Sequence, residues 1–305
     1  MSGRSPGSEP PGFGRIAIVG LGLIGASIAL GIRRADPEVA IAGVDTADVL
    51  REAVARGVVD AASEHLDAVA GADLVILAAP IRQNIELVRL VSRHVSAAAI
   101  VTDVGSTKRA VVQAARSLGR SLTFVGGHPL AGAASGGIAS ASGDLFVGRR
   151  WVLTPDGGAP REAADRLCGF VRRLGAAPHV MDAAEHDRVL AFTSHLPQLV
   201  ATALICTVGE GTGPSGLALS GPGLADSTRL AGSPYDIWRD ICATNADNIR
   251  AALDALVAAL DRVRPDATAP LPLQRAFSDA REWRERTVAA LRIDDSAQDR
   301  GRGCM

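Results

Sequence analysis

Along the first half of the chain, short apolar runs alternate with segments of helical periodicity. Arg15-Ile-Ala-Ile-Val-Gly20 is apolar at every position after the first, the pattern of a parallel strand buried on both faces. Helical spacing follows from Leu23 to about Arg34 and stops at Asp36-Pro37, because proline cannot continue a helix and restricts the residue before it. The same alternation predicts a strand at 39–45, a helix near 46–56, a strand within 73–80, a helix near 85–95, a strand at 99–103 and a helix near 108–118. Apolar runs at 123–126, 151–154 and 177–181 predict three more strands. Strand and helix in regular succession imply a parallel sheet with helices on both faces, a doubly wound α/β fold.

The pattern changes after Asp182. Residues 183–208 read as one long helix interrupted only by Pro197, and a Gly/Pro/Ser-rich stretch covers 209–234. Helical periodicity returns at 235–264 and 273–291, with no strand-like run. The apolar faces of these helices are too broad for one isolated bundle, so the second half is expected to be all-helical and to oligomerise through them. The expected organisation is a disordered leader at 1–13, a Rossmann-type domain at 14–182, a helical domain at 183–293 and a polar tail at 294–305.

Composition narrows the function classes. The chain is 47% hydrophobic and 21% charged with a formal net charge of −1, so nothing suggests bulk attraction to nucleic acid or to an anionic membrane. The first dozen residues lack the apolar core of a signal peptide, and no apolar run reaches the roughly 18 residues of a membrane span, so a cytoplasmic location is expected. Cys168, Cys206, Cys242 and Cys304 show no metal-like spacing; they read as incidental thiols in a reducing compartment, and no metal site is expected. Lys108 is the only lysine in the chain.

The most informative glycines are Gly20-x-Gly22-x-x-Gly25, between the first predicted strand and the first helix. Gly20 suits the tight turn, Gly22 lets the backbone approach a pyrophosphate, and Gly25 lets the helix pack close to the sheet. The N–H groups at the helix start, those of Leu23 and Ile24 among them, then face the phosphates. Asp45, twenty positions after Gly25, ends the next strand. Its carboxylate suits the two ribose hydroxyls of NAD and would repel the 2′-phosphate of NADP; the nearest following arginine is Arg51. NAD is therefore expected over NADP.

Further motifs lie at later strand ends, where open α/β sheets bind ligands. Thr102-Asp-Val-Gly-Ser106-Thr107-Lys108 offers a hydroxyl and an ammonium, although Ser106 and Thr107 serve equally well as helix caps. Gly126-Gly127-His128-Pro129 leaves the His128 ring room to face a ligand, and imidazole transfers protons near neutral pH. In Glu185-His186-Asp187…Ser194-His195-Leu196-Pro197, the two histidines are nine residues apart, on nearly opposite faces of an ideal helix and a poor metal pair. His195 suits either a cleft or a hydrogen-bonded core position, and His186 a helix-start network. Arg229, in the glycine-rich Asp226-Ser-Thr228-Arg229-Leu-Ala-Gly232, suits a carboxylate clamp or an ordinary surface position.

Taken in order, GLGLIGAS, TDVGSTK, GGHPLAG, DLFVGRRWVLTP, EHDRVLAFTSHLP and DSTR resemble the prephenate and arogenate dehydrogenases of tyrosine biosynthesis, over about residues 14–260. The resemblance implies a nucleotide-binding domain followed by a helical dimerisation domain, a homodimer, and NAD-dependent oxidative decarboxylation of prephenate or of its amino analogue arogenate. By motif it implies that His128 is the base for the substrate's ring hydroxyl and that Ser106 is its hydrogen-bonding partner. It also implies that Arg229 binds a substrate carboxylate and that His195 lies near the substrate side chain. Some members of the family carry a fused mutase or a regulatory domain; the short remainder after the helical core leads us to expect neither. The β-hydroxyacid dehydrogenases share the same plan but rely on a lysine in the helical half, where this chain has none. A non-catalytic NAD-binding sensor would keep the glycine loop without needing His128, Ser106 and Arg229 together.

Overall fold

The computed structural model describes residues 12–133, 135–155, 158–265 and 271–302. The chain divides into two compact units, one running to Val189 and including Pro234–Asn245, the other comprising Leu190–Ser233 and the chain from Ala246 on.

In the first unit the strands and α-helices up to Val189 are, in chain order, β1 (Arg15–Val19), α1 (Leu23–Ala35), β2 (Ala40–Val44), α2 (Ala47–Ala55), β3 (Ala61–Ser63), β4 (Leu74–Leu77), α3 (Ile81–Val91), β5 (Ile100–Asp103), α4 (Arg109–Arg116), β6 (Thr123–Pro129), β7 (Arg150–Pro155), α5 (Arg161–Arg173), β8 (Ala177–Val180) and all but the last residue of α6 (Ala183–Leu190). The sheet order is β3-β2-β1-β4-β5-β6-β7-β8. The chain builds outward from β1 in one direction through β2 and β3, then crosses to β4 and builds in the other. A crevice therefore opens at the C-terminal ends of β1 and β4, the switch point at which such sheets bind ligands.

Strand periodicity explains the core. Ile16 and Ile18 of β1 enter one apolar cluster with Ile28, Trp151 and Phe170, while Ala17 and Val19 enter a second with Val75, Val101 and Phe124. Successive side chains point to opposite faces, and both faces are covered by helices, so the strand is apolar throughout.

Four differences from the sequence-based expectation have physical causes. First, the short edge strand β3 was not foreseen; Ala61-Ala-Ser is too short and too small to stand out as an apolar run. Second, the sheet is not wholly parallel, because β7 runs antiparallel to β6. A parallel return needs a crossover helix, and the connection between them holds only a 3-10 turn at Ile138–Ser140 among the described residues. Third, β6 continues to Pro129, so His128 lies on a strand, opposite Val152, and not beyond its end. Fourth, Phe13 belongs to the core and not to a loose leader; residues 1–11 of that expected leader lie outside the described residues. Its ring is 3% exposed, meets Phe170 edge-on at 5.9 Å and carries the Arg166 guanidinium over its face.

The second unit departs further from its pattern. A π-helical turn at Ala191–His195 precedes α7 (Leu196–Leu217), and α8 (Pro222–Thr228) leads into a 3-10 turn at Arg229–Gly232. The Gly/Pro/Ser-rich stretch is thus largely helical. Its prolines begin helical segments, since Pro222 opens α8 and Pro214 follows the one non-helical residue within α7, Gly213. Proline costs nothing in a first turn, where its missing N–H would have no partner. For the same reason Pro197 does not interrupt the long helix, and the irregular turn lies before it. The predicted helix at 235–264 is two, α9 (Tyr235–Thr244), which belongs to the first unit, and α10 (Ala246–Arg262), with Asn245 between them. The last helix, α11 (Leu271–Arg302), runs past 294, where the sequence suggests a tail.

Contrary to the expectation from sequence, one helical stretch, Ala183–Leu217, is long and apolar enough to cross a membrane by length and composition. Its interruptions are mostly uncharged, and several bond back to the chain. Gln198 Nε2 donates to Leu230 O at 2.8 Å, and the Thr202 and Thr207 hydroxyls donate to carbonyls four residues earlier.

Because Phe13 is fully packed, Phe13→Ala should cost about 3–5 kcal/mol of unfolding free energy in a urea titration. A loss below about 1 kcal/mol would contradict its place in the core.

Candidate active site

The glycine loop closes the crevice between β1 and β4. Gly20 has φ +96°, and a Cβ there would sit 2.6 Å from the Ala78 carbonyl carbon, so no other residue fits the turn after β1. A Cβ on Gly25 would lie 1.9 Å from Gly20 O, so α1 can start this close to the turn only with glycine. Gly22, the N-cap of α1, faces open space, and the first turn of α1, which includes Leu23 and Ile24, holds no acidic residue. The free N–H groups there can face an anion. Asp45 directly follows β2 and is held partly by the loop itself. Its carboxylate accepts the Leu21 N–H at 2.6 Å and the Thr46 N–H at 2.7 Å. Gly20, Gly22 and Asp45 line a cleft of ≈ 520 Å³ whose other wall includes Ala78, Pro80 and Gln83. Sequence reasoning missed that wall and its support. Buried Asn84 accepts the Ala79 N–H and donates to Leu77 O, both at 3.1 Å, and so shapes the turn after β4.

Two strands over, the ends of β5 and β6 are joined by buried charges. Thr102 pairs with Val125 in parallel register, which brings the Gly105-Ser106 turn and His128 to one edge of the sheet. The Asp103 carboxylate accepts N–H bonds from Gly105 at 2.8 Å and Gly127 at 3.1 Å, and pairs with Lys108 Nζ. Lys108 also donates to Gly127 O at 2.7 Å, and its side chain is wholly buried. Burial pushes its ammonium below the usual lysine range, with Asp103 opposing the shift. The chain's single lysine is therefore turned inward, where it fastens the two strand ends together. Ser106 is half-buried on this edge.

His128 is 9% exposed, and its Nδ1 lies 2.9 Å from His186 Nε2, with the rings edge to face at 5.1 Å. His186 Nδ1 lies 2.8 Å from Asp187 Oδ1. The Asp187 carboxylate also accepts the Lys108 N–H at 2.7 Å, the Arg109 N–H at 3.0 Å and Arg109 Nε at 3.3 Å. Asn245 Nδ2 donates to Asp187 O at 2.7 Å, and Arg109 Nη2 donates to Asn245 Oδ1 at 3.1 Å. Burial alone would raise the Asp187 pKa, but the bonds from His186 and from the Arg109 and Lys108 backbones outweigh it and hold the carboxyl below its ordinary value. Burial lowers the His186 pKa, only partly offset by Asp187. His186 does stand in a helix-start network, since Asp182 Oδ1 accepts the Ala184 and Glu185 N–H groups and Asp182 O accepts that of His186. Its ring contact with His128 was not foreseen, because 58 residues separate them and no local pattern links them.

The other two expected site residues lie in the second unit. His195 is buried in the π-helical turn. Arg229 is exposed at the start of the 3-10 turn, which Gln198 secures through Leu230 O at 2.8 Å and the Ser233 hydroxyl at 3.1 Å.

Residues 28–180 match the family model described as prephenate dehydrogenase, nucleotide-binding domain, and residues 182–266 match that described as prephenate dehydrogenase, dimerization domain. A prephenate dehydrogenase of Lactococcus lactis subsp. cremoris is 35% identical over 238 residues, which are 76% of this chain and 65% of that protein. The chain thus spans just under two thirds of that relative's length. Arogenate dehydrogenase of Synechocystis matches with a TM-score of 0.79 at 31% identity, over 90% of this chain and 99% of that one. Prephenate dehydrogenase of A. aeolicus, in complex with hydroxyphenyl propionate and NAD+, matches with a TM-score of 0.79 at 30% identity, over 92% and 98%.

The shifted groups set a pH dependence. His186 and Asp187 both titrate lower in the folded chain than in the unfolded one, so the unfolded chain binds more protons and stability rises with pH. The His186 share is present above about pH 6.5 and is lost as pH falls below it; the Asp187 share is lost below about pH 4. His186→Gln should flatten the unfolding free energy between about pH 7 and 5, and an unchanged slope would contradict a buried neutral imidazole. Lys108→Met strands the Asp103 charge in the interior and should cost about 3–5 kcal/mol in urea unfolding. A cost under about 1 kcal/mol would remove the pair from the fold's support.

Proposed function

The chain belongs to the prephenate dehydrogenase family, and from that premise we propose that it catalyses the NAD-dependent oxidative decarboxylation of prephenate to 4-hydroxyphenylpyruvate in tyrosine biosynthesis. The proposal rests above all on the place of His128. The ring stands at the end of β6, beside the Ser106 turn, on the sheet edge that also carries the glycine cleft between β1 and β4.

The cleft suits a dinucleotide. Gly20, Gly22, Leu23, Ile24 and Gly25 would hold the pyrophosphate, with room over Gly22 and no opposing carboxylate in the first turn of α1. Asp45, a carboxylate at the cleft wall, would take the ribose hydroxyls and so favours NAD over NADP. Bound NAD supplies the acceptor for the hydride that leaves C4 of the substrate ring. His128 takes the proton of the C4 hydroxyl, and Ser106 hydrogen-bonds the same hydroxyl and orients it. Arg229 holds a substrate carboxylate and His195 contacts the substrate side chain. Carbon dioxide leaves C1, the electrons of its bond pass into the ring, and the C4 oxygen takes its proton back from His128; the ring becomes aromatic, which drives the reaction forward. The protein's share is orientation, a base and a dry pocket.

Arogenate is the alternative substrate, favoured by a similarity to the Synechocystis arogenate dehydrogenase equal to that with the A. aeolicus enzyme. The same residues would serve, because the two substrates differ only in the side chain. A second copy of the chain is the expected partner. The helical unit exposes Leu219, Val257, Leu260, Phe277 and Trp283, an apolar surface that a homodimer would cover. A cytoplasmic location completes the proposal.

Assays of prephenate and arogenate, each with NAD and NADP and followed by nicotinamide absorbance, test it. Prephenate with NAD should give the highest kcat/KM, with NADP at least about 10-fold lower. Oxidation of neither substrate would overturn the proposal, and equal kcat/KM for the two cofactors would remove the role of Asp45. His128→Asn should lower kcat by about 10²–10⁴-fold, the range of a lost general base. Arg229→Ala should chiefly raise KM. Near-full kcat in the first, or an unchanged KM in the second, would strike that residue from its role.

A further inference from the structure

We propose that His186 is a positioning residue for the base, holding His128 in the tautomer with its proton on Nδ1 and its lone pair on Nε2. This rests on the assignment of His128 as the base, and it follows from donor and acceptor roles along one buried chain of contacts.

The chain begins at Asp187. Its carboxylate accepts two backbone N–H groups and Arg109 Nε and is wholly buried. An ionised carboxylate only accepts, so His186 Nδ1, 2.8 Å from Oδ1, must carry the proton. His186 is itself wholly buried and lies close enough to Lys108 for that ammonium to oppose a second positive charge. A neutral imidazole with its proton on Nδ1 has only a lone pair on Nε2. The atom 2.9 Å from that lone pair is His128 Nδ1, which must then donate. The second nitrogen of His128, Nε2, is left as the basic one.

The reverse polarity fails on charge. For His128 Nδ1 to accept, His186 Nε2 would need a proton as well, making a buried imidazolium that desolvation and Lys108 oppose more than Asp187 and Asp103 favour. For His186 to be neutral with its proton on Nε2, its Nδ1 lone pair would face the Asp187 carboxylate, two acceptors 2.8 Å apart. When His128 gains the substrate proton on Nε2, its Nδ1–H bond to His186 becomes charge-assisted, and Asp187 stands behind it with a full negative charge. His186 therefore orients the base and also supports the cation that forms on it.

The test is ¹⁵N nuclear magnetic resonance of the histidine rings in the intact 305-residue chain, with proton–nitrogen correlations separating protonated from unprotonated ring nitrogens. In the unmodified chain, His128 should show a protonated Nδ1 and an unprotonated Nε2. A proton on His128 Nε2 would overturn the proposal without any variant, so a folding failure cannot rescue it. In His186→Phe the His128 signals should move toward the Nε2–H form, with kcat for prephenate lowered at least 10-fold and KM within about 2-fold. In His186→Gln, whose amide can donate to Asp187 and accept from His128, most of the kcat should return. A folded His186→Phe protein that keeps the tautomer and kcat of the unmodified chain would also overturn it. If the chain oxidised neither prephenate nor arogenate, the assigned reaction would fail while the ring spectra still decided the tautomer.

Discussion

A buried carboxylate on α6 ties together one edge of the first unit. Asp187 is wholly buried, and a charge so placed is tolerated only when its lone pairs are filled. The groups that fill them come from the start of α4, from the neighbouring His186 and from the Arg109 side chain. Its backbone carbonyl is taken by Asn245 at the end of α9. One residue thus ties together three segments far apart in sequence, and the His128 ring hangs from the same cluster through His186.

The Asp103–Lys108 pair does comparable work between two strand ends. It locks the ends of β5 and β6 through Gly105 and Gly127, which flank the positions of Ser106 and His128. A side chain carried on a strand, with the preceding Gly127 backbone tied to a buried ion pair and its own ring tied through His186 to a buried carboxylate, has little freedom to drift, as the proposed role of His128 requires. The glycine cleft is built differently. There the turn after β1 is forced on the chain by steric closure at Gly20 and Gly25, and Asp45 is held by the Leu21 N–H of the loop it faces and by the N–H of Thr46 beside it.

Much of this was legible in the chain before folding. The alternation of apolar runs and helical spacing marked every strand of the sheet except the three-residue β3. The glycine spacing and Asp45 marked the cleft, because there a local backbone constraint dictates residue type directly. The antiparallel β7 was not legible, since strand direction depends on what the connection can bury and not on the strand's own sequence. The helical character of 209–234 was hidden by its prolines and glycines, which mark breaks in most contexts and helix starts in this one. Lys108 stood out as the only lysine, but only the fold reveals that it points inward. His186 was visible as a member of a helix start, and its larger contact needed the tertiary structure to bring β6 against α6.

Family membership, the cleft and the His128 edge converge on a single chemical claim: hydride removal and loss of carbon dioxide belong to the same turnover. The direct measurement is to follow reduced nicotinamide and released carbon dioxide together in one reaction with prephenate and NAD. The account predicts one carbon dioxide for each nicotinamide reduced, with an aromatic product. Nicotinamide reduction without matching carbon dioxide would contradict it and place the chain among simple alcohol oxidations.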